Sequence, residues 1–362
     1  MWSTFRLEDI ARVVAGGKSG LSGKHFVDNG YPAYGAGGLN GFLPTWEHED
    51  GAVVLSSIGA RCGKCFLPSG KWSSLANTQL IFPDPNLADR KFLWYLLDDE
   101  SRWHRSGSAQ PYIKPSDVKT HRVTLPPLPE QRRIVSILDE AAYVVRGISR
   151  RTQFLDELAG AEFHRVVSES SKHRFRLSEI AEIVGGSTPK SAVVEYWDGD
   201  VSWITPADLS RRRDVLITET NRRISSSGLR SIGGRLLPVG SVLLSSRAPI
   251  GLTGIVGVPM CTNQGFKSLV PDASLVDSMF LYWWLRSNRS TLESRGVGAT
   301  FKELSKAATE SLDIDLPPLD VQRNFAAVAW KVEKARLESV RQHKVAELLM
   351  DSLMSRALEG KL

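Results

Sequence analysis

Apolar residues fall into a few recurring rhythms along the chain. Leu7, Ile10, Val13 and Val14 stand at helical spacing and predict a short amphipathic helix near the start. The runs "AVVLSSI" (52–58) and "SVLLSS" (241–246) lie in glycine-containing surroundings and predict strands. Phe92, Leu93, Tyr95 and Leu96 predict an aromatic helix whose side chains serve a core, and Phe280, Leu281, Trp283 and Trp284 predict a second. "LDIDL" (312–316) alternates and predicts a strand. Two long segments carry a seven-residue repeat. With Ile134 as position a, Ile134, Ala141, Ile148 and Leu155 fall at a, and Ile137, Val144 and Leu158 at d. In the second segment Phe325, Val332, Ala346 and Leu353 fall at a, and Val328, Ala335 and Leu349 at d. Arg151 and Gln342 interrupt the same d position, and Glu162 and Ser339 interrupt a positions. A narrow sustained stripe predicts a coiled-coil seam, and polar interruptions fix its register.

These elements come twice in the same order. "FRLEDIARVVAGG" (5–17) returns as "FRLSEIAEIVGGS" (175–187), and "GAVVLSSIG" (51–59) as "GSVLLSSRA" (240–248). The offset widens from 170 to 189 residues between these pairs, so the second copy holds an insertion within 187–216. "LPPLPEQRRI" (125–134) returns 191 residues later as "LPPLDVQRNF". No strand runs through Pro126-Pro127, because proline lacks the ladder donor and restricts its predecessor. A helix then starts. Pro129 suits its first position, and Asp320 and Glu130 favour the positive helix end. Helical from Pro129 to Val167, the first segment is roughly 57 Å long. The expected fold is α+β: two globular α/β domains separated by two long helices packed as an antiparallel coiled coil, with pseudo-two-fold symmetry. The expected domains are 1–124 and 171–315, with helical spacers 125–170 and 316–362. Two separate helix hairpins, or pairing with another chain, are the alternatives.

Composition narrows the class. A chain of 362 residues, 42% hydrophobic and 24% charged, suits two or three globular domains. It has no apolar run of membrane-spanning length, and its N-terminus lacks a basic segment followed by an apolar one. Three cysteines are too few for a disulfide framework, so a cytoplasmic setting without membrane is expected. A net charge of +6 permits a polyanionic partner without requiring one. A two-fold protein suits a two-fold target, and duplex DNA is one.

Catalytic patterns are near misses. "GGKSGLSGKH" (16–25) has the wrong spacing for a phosphate loop, and Asn40 replaces the third glycine of a GxGxxG in "GAGGLNG" (35–41). Both Pro-Pro pairs are flanked by leucine, unlike the Asn/Asp-Pro-Pro-aromatic motif of adenine methyltransferases. Cys62 and Cys65 form a CxxC without a second ligand pair, so no metal site is expected. No catalytic residue and no cofactor are expected.

The duplicated layout, "LPPLPEQRRIVSILD" and "LPPLDVQR" heading long helices, "YPAYGAGGLNGF" (31–42), the stretch 185–209 with "GGSTPK" and "GDVSWITPADL", "SSRAPIG" (245–251), "TNQGFKSL" (262–269) and "GATFKELS" (298–305) together carry a resemblance. The chain resembles the specificity (S) subunit of type I restriction–modification enzymes over nearly its whole length. Asp320 and Val321 depart from the Pro129 and Glu130 of the first copy. The resemblance implies two target-recognition domains, each reading half of a bipartite site in double-stranded DNA, with the helices as a ruler. It implies two modification (methyltransferase) subunits as partners, and restriction (motor-nuclease) subunits for cleavage. Loop cations near aromatic or amide residues are the candidate DNA contacts. In the first half they are Lys18, Lys24, Tyr34, Arg61, Lys64, Gln110 and Lys114. In the second they are Lys190, Trp203, Arg212, Arg213, Arg247, Gln264, Lys267 and Lys302. The halves differ at most of these positions, so two different half-sites are expected. A stand-alone DNA-binding regulator and a coiled-coil scaffold without DNA are the competing readings.

Overall fold

The computed structural model describes residues 2–17, 23–49, 51–247, 249–298 and 302–362. The chain divides into two compact units, Met1–Gly147 with Lys344–Leu362, and Ile148–His343.

The first unit opens with β1 (Ser3–Arg6), α1 (Leu7–Ile10) and β2 (Ala11–Ala15). β3 (Tyr31–Gly35), β4 (Gly38–Leu43), β5 (His48–Glu49), β6 (Val53–Ser56), β7 (Cys65–Phe66), β8 (Lys71–Ser74) and β9 (Thr78–Pro83) follow. Then come α2 (Arg90–Leu97), α3 (Pro115–Thr120), β10 (Arg122–Leu125) and the long α4 (Leu128–Glu169), whose residues from Ile148 on belong to the second unit. The strands form sheets β2-β9-β6-β7 and β4-β3-β8-β5, and β1 pairs with β10. The opening helix is shorter than its spacing predicts. It makes one turn, and Val13 and Val14 continue as a strand opposite Ile81 and Leu80. Four apolar positions cannot separate the two periods, and the β-branched pair goes to the ladder.

The second unit repeats this plan. It has β11 (His173–Arg176), α5 (Leu177–Ile180), β12 (Ala181–Gly185), β13 (Trp197–Ile204), α6 (Pro206–Ser210), β14 (Leu216–Ile217), β15 (Arg222–Ile224) and α7 (Ser226–Ser231). β16 (Val242–Leu244), β17 (Thr253–Val256), β18 (Met260–Thr262), β19 (Lys267–Pro271), α8 (Ser278–Ser287), α9 (Arg289–Ser294), α10 (Lys306–Glu310), β20 (Asp313–Leu316) and α11 (Leu319–Leu358) follow, the residues of α11 from Lys344 on belonging to the first unit. Its sheets are β12-β19-β16-β17-β14 and β15-β13-β18. A tight turn joins β3 to β4 in the first unit. Here α6 and β14 intervene, and β14 adds an edge strand parallel to β17. The inserted residues therefore build one helix and one strand.

The repeated Pro-Pro motif ends in a buried amide. Gln131 is fully buried. It donates to the carbonyls of Leu87 (3.0 Å) and Pro126 (2.8 Å) and accepts from the Asp89 N–H (2.7 Å). Asp89 in turn caps α2 by accepting from the Lys91 and Phe92 N–H groups. Gln322 repeats every bond with Leu275, Pro317 and Asp277, the last being the cap of α8. The motif thus welds the first turn of each long helix to the start of the aromatic helix.

The long helices pack on each other within each unit, in a register other than the expected one. In the first unit Ile134 and Leu138 meet Ala357, Leu353 and Met354 around a shared core. In the second, Ala159 and Phe163 meet Phe325, Ala326 and Ala329. The a positions Ile134 and Phe325 are buried, as is Val332, with Ala141, Ile148, Leu155, Ala346 and Leu353 half-buried. The predicted d set is outside or flanking. Val144, Leu158, Val328 and Leu349 are 41–57% exposed, Ala335 is exposed and Ile137 is half-buried. Leu138, Val145, Thr152 and Ala159 take the second row on α4, and Ala329, Arg336, Met350 and Ala357 on α11. Positions i+3 and i+4 both neighbour i on a helix. Both rows carry polar residues, Arg151 and Gln342 at i+3 and Thr152 and Arg336 at i+4, so the apolar pattern alone does not separate them.

A polar layer interrupts this packing. Ser339 is fully buried, exchanges a 2.7 Å bond with Thr152 and donates to the Ile148 carbonyl. Arg151 donates to Ser339 and to Gln342. Residues 148 and 339, like 151 and 342, are equivalents in the repeat, so equivalent positions of α4 and α11 face each other.

Candidate nucleic-acid interface

In the first unit two loops are zipped together. Gly59 N–H donates to the Pro111 carbonyl and Ile113 N–H to that of Ser57, both at 2.9 Å. Ser106 and Tyr112 exchange both backbone bonds, closing a tight turn. Gly107 holds it at φ +85°, where an added Cβ would lie 2.6 Å from the Gln110 carbonyl. Arg61, Gln110 and Lys114 therefore lie exposed on adjoining segments, with Tyr112 between them. Arg61 is aimed by the Gly37 carbonyl (2.7 Å) and lies over the Phe66 ring. Lys64 stands apart chemically: it is half-buried in an ion pair with Asp98 at 3.0 Å. Tyr34 packs edge-on to Trp72, and burial pushes its phenol up from its ordinary range. Lys24 is exposed, and Lys18 lies outside the described residues. Sequence reasoning missed Lys71, whose ammonium sits 3.8 Å from the centre of the Trp46 ring. It also missed Arg12 over Phe82. Arg12 faces Phe82 across β2 and β9, and Trp46 lies just before β5, the strand that pairs with β8 of Lys71, so local sequence carries no sign of either contact.

The second unit zips the equivalent loops. Leu304 N–H donates to the Ser246 carbonyl, and Val297 and Glu303 exchange backbone bonds at 3.0 Å. Glu303 becomes a hub, accepting from Arg247 at 2.8 Å and from Lys267 at 3.3 Å. The Arg247 guanidinium, with Lys267, holds its carboxyl below the ordinary range. Lys302 and Lys190 are exposed. Gln264 is exposed, with its amide oxygen taken by the Thr188 hydroxyl. Trp203 is not presented to a partner: it is 2% exposed, and its indole N–H donates to the Ser187 carbonyl. Its place in β13 turns it inward, a pattern invisible without the sheet. The exposed neighbour that sequence reasoning missed is Arg222, stacked over Trp197 (4.1 Å) and Trp203 (5.0 Å). Arg212 and Arg213 belong to a different group. They follow α6 beside α8, where the Arg213 carbonyl accepts from Arg336.

Among the described residues no group of three or more His, Cys, Asp or Glu side chains could hold a metal ion. Cys62 and Cys65 are buried free thiols, and burial pushes both up in pKa. Among the described residues no helix is long and apolar enough to cross a membrane. What the surface offers is guanidinium, amide and ammonium groups on paired loops. These are donors suited to phosphates and to base edges.

The chain is similar to known proteins over nearly its whole length. The family model described as "Type I restriction modification DNA specificity domain" matches residues 1–146 and 169–346. The chain is 33% identical over 174 residues to the type I restriction enzyme MjaIX specificity subunit of Methanocaldococcus jannaschii, covering 48% of this chain and 40% of that relative. It is 24% identical to the putative type I restriction enzyme MjaX specificity subunit of the same organism, covering 99% and 94%. A crystal structure of the type I restriction-modification S subunit from M. genitalium shares the fold, with a TM-score of 0.69 at 15% identity, covering 99% and 96%.

Proposed function

The chain belongs to the type I restriction modification DNA specificity family, and on that premise we propose how it works. It is a non-catalytic specificity subunit that reads a bipartite, asymmetric site in double-stranded DNA, one half-site per unit. It directs two methyltransferase subunits, and for cleavage the motor-nuclease subunits, to that site in the cytoplasm. The paired helices set the spacer between the half-sites.

One observation carries this reading: the same loop-zipped module occurs twice, with different donors each time. Arg61 and Gln110 are exposed in one copy, Gln264 and Arg222 in the other. Arginine can bond a guanine edge bidentately and an amide an adenine edge. Lys24, Lys114, Lys190 and Lys302 are exposed point charges suited to phosphates. Lys64, Lys267 and Arg247 already hold carboxylates, so they orient the loops or exchange partners on binding.

The test is co-expression with the partner methyltransferase and mapping of methylated bases. Exchange of residues 1–124 for those of a relative should change one half-site alone. A change in both halves, or tight site-specific binding that needs no partner and directs no methylation, would defeat the proposal.

A further inference from the structure

The second unit contains a cavity of about 310 Å³ between the α6–β14 segment, α8 and the long helices. Its lining includes five arginines, Arg212, Arg213, Arg286, Arg289 and Arg336, and two aspartates, Asp156 and Asp214. Arg336 is spent: it is held by Glu333 at 2.6 and 2.8 Å. Arg289 gives one N–H to Glu293. The other three lack a carboxylate at hydrogen-bonding distance among the described residues. Arg286 donates to the neutral Tyr282 hydroxyl at 3.1 Å and lies over Trp283. Arg212 is only 15% exposed, and its one ion pair, with Glu219, is 3.9 Å long. Arg213 is exposed, and its side chain makes no bond among the described residues.

The first unit keeps the same plan without these charges. The repeat places Val145 at the position of Arg336, Asp98 at that of Arg286 and Ser101 at that of Arg289. Arg212 and Arg213 sit on the insertion that the first unit lacks. Crowded, incompletely paired guanidinium groups repel one another, and a compact multivalent anion relieves that repulsion. Planar arginine forks match phosphate oxygens pairwise.

We propose that this cavity binds a phosphate group. Two sources share that chemistry: a small free phosphate-bearing molecule and the DNA backbone. Only the second rests on the function proposed above. The experiment titrates the full chain with pyrophosphate by calorimetry, and with a mixed-sequence duplex at several salt concentrations. It compares wild type with R212Q/R213Q/R286Q and, should that variant melt early, with R213Q alone, whose side chain holds nothing in the fold. A free ligand predicts pyrophosphate binding that weakens about tenfold or more in the triple variant and measurably in R213Q. A backbone phosphate predicts no such binding but a salt slope shallower by about one to two in the triple variant, and by less than that in R213Q. Unchanged pyrophosphate titration together with an unchanged salt slope overturns the site. If wild type still binds DNA in that case, the recognition function survives without it.

Discussion

The side chain of Gln131 accepts the backbone N–H of Asp89 at 2.7 Å, joining the first turn of a 42-residue helix to the cap of another. Gln322 and Asp277 repeat the relationship at 3.0 Å. The amide uses both donor hydrogens and its oxygen, all out of water. Gln131→Leu would strand the Asp89 N–H and two carbonyls, and should cost about 2–4 kcal/mol. Denaturant unfolding measures this, and a loss below half a kcal/mol would show the weld to be dispensable.

The register of the helix pair makes a sharp comparison. Leu138 is fully buried and Val144 is 52% exposed. Leu138→Ala should destabilise by about 2–4 kcal/mol. Val144→Ala should stay within about 0.5 kcal/mol. Equal effects would restore the i+3 seam.

Glu333 and Arg336 are 7% exposed each, and Glu333 also accepts from the Val215 N–H at 3.1 Å. Glu333→Ala leaves a buried guanidinium with only the half-exposed Asp156 carboxylate 3.7 Å away and should cost about 3–5 kcal/mol. The first unit has Ala142 and Val145 at the equivalent positions. Glu333→Ala with Arg336→Val should therefore recover part of the loss, as read in thermal melts. A double variant no more stable than Glu333→Ala alone would contradict this.

Acid should loosen the first unit. Burial lowers the pKa of His48, packed on Trp72, and of His121, stacked on Trp103. Below about pH 6.5 the unfolded chain takes up protons that these folded imidazoles resist, so stability falls with pH. Melting temperature should drop between about pH 7.5 and 5.5, and H48Q/H121Q should flatten that slope. An unaltered slope would assign the acid sensitivity elsewhere.

If the zipped loops touch DNA as proposed, Arg61 and Lys302 should behave differently. Arg61→Ala should cost about 1–3 kcal/mol and relax one base position. Lys302→Ala should weaken all sequences alike and lower the salt slope by about 1. Binding selections at two salt concentrations separate these outcomes.

Much of the plan was legible before any coordinates. The doubled element order, the aromatic helices and the helix start after the Pro-Pro pair all rest on local rules. The role of Gln131 was not legible. It looks like a polar residue in an exposed first turn, and two of its partners lie 42 and 44 residues upstream. Trp203 failed as a candidate contact for the same kind of reason. Which face of a short strand points inward depends on its neighbours, not on its own residues.

By itself the sequence determined that two kindred modules each feed a long helix with a heptad stripe, since periodicity and proline stereochemistry act along the chain. Only tertiary structure decided which row of each helix is buried, which cations are already paired, and that arginines from the segment after α6 and from α8, α9 and α11 line one cavity. Those outcomes depend on groups far apart in sequence competing for the same space and charge, and no local pattern encodes the winner.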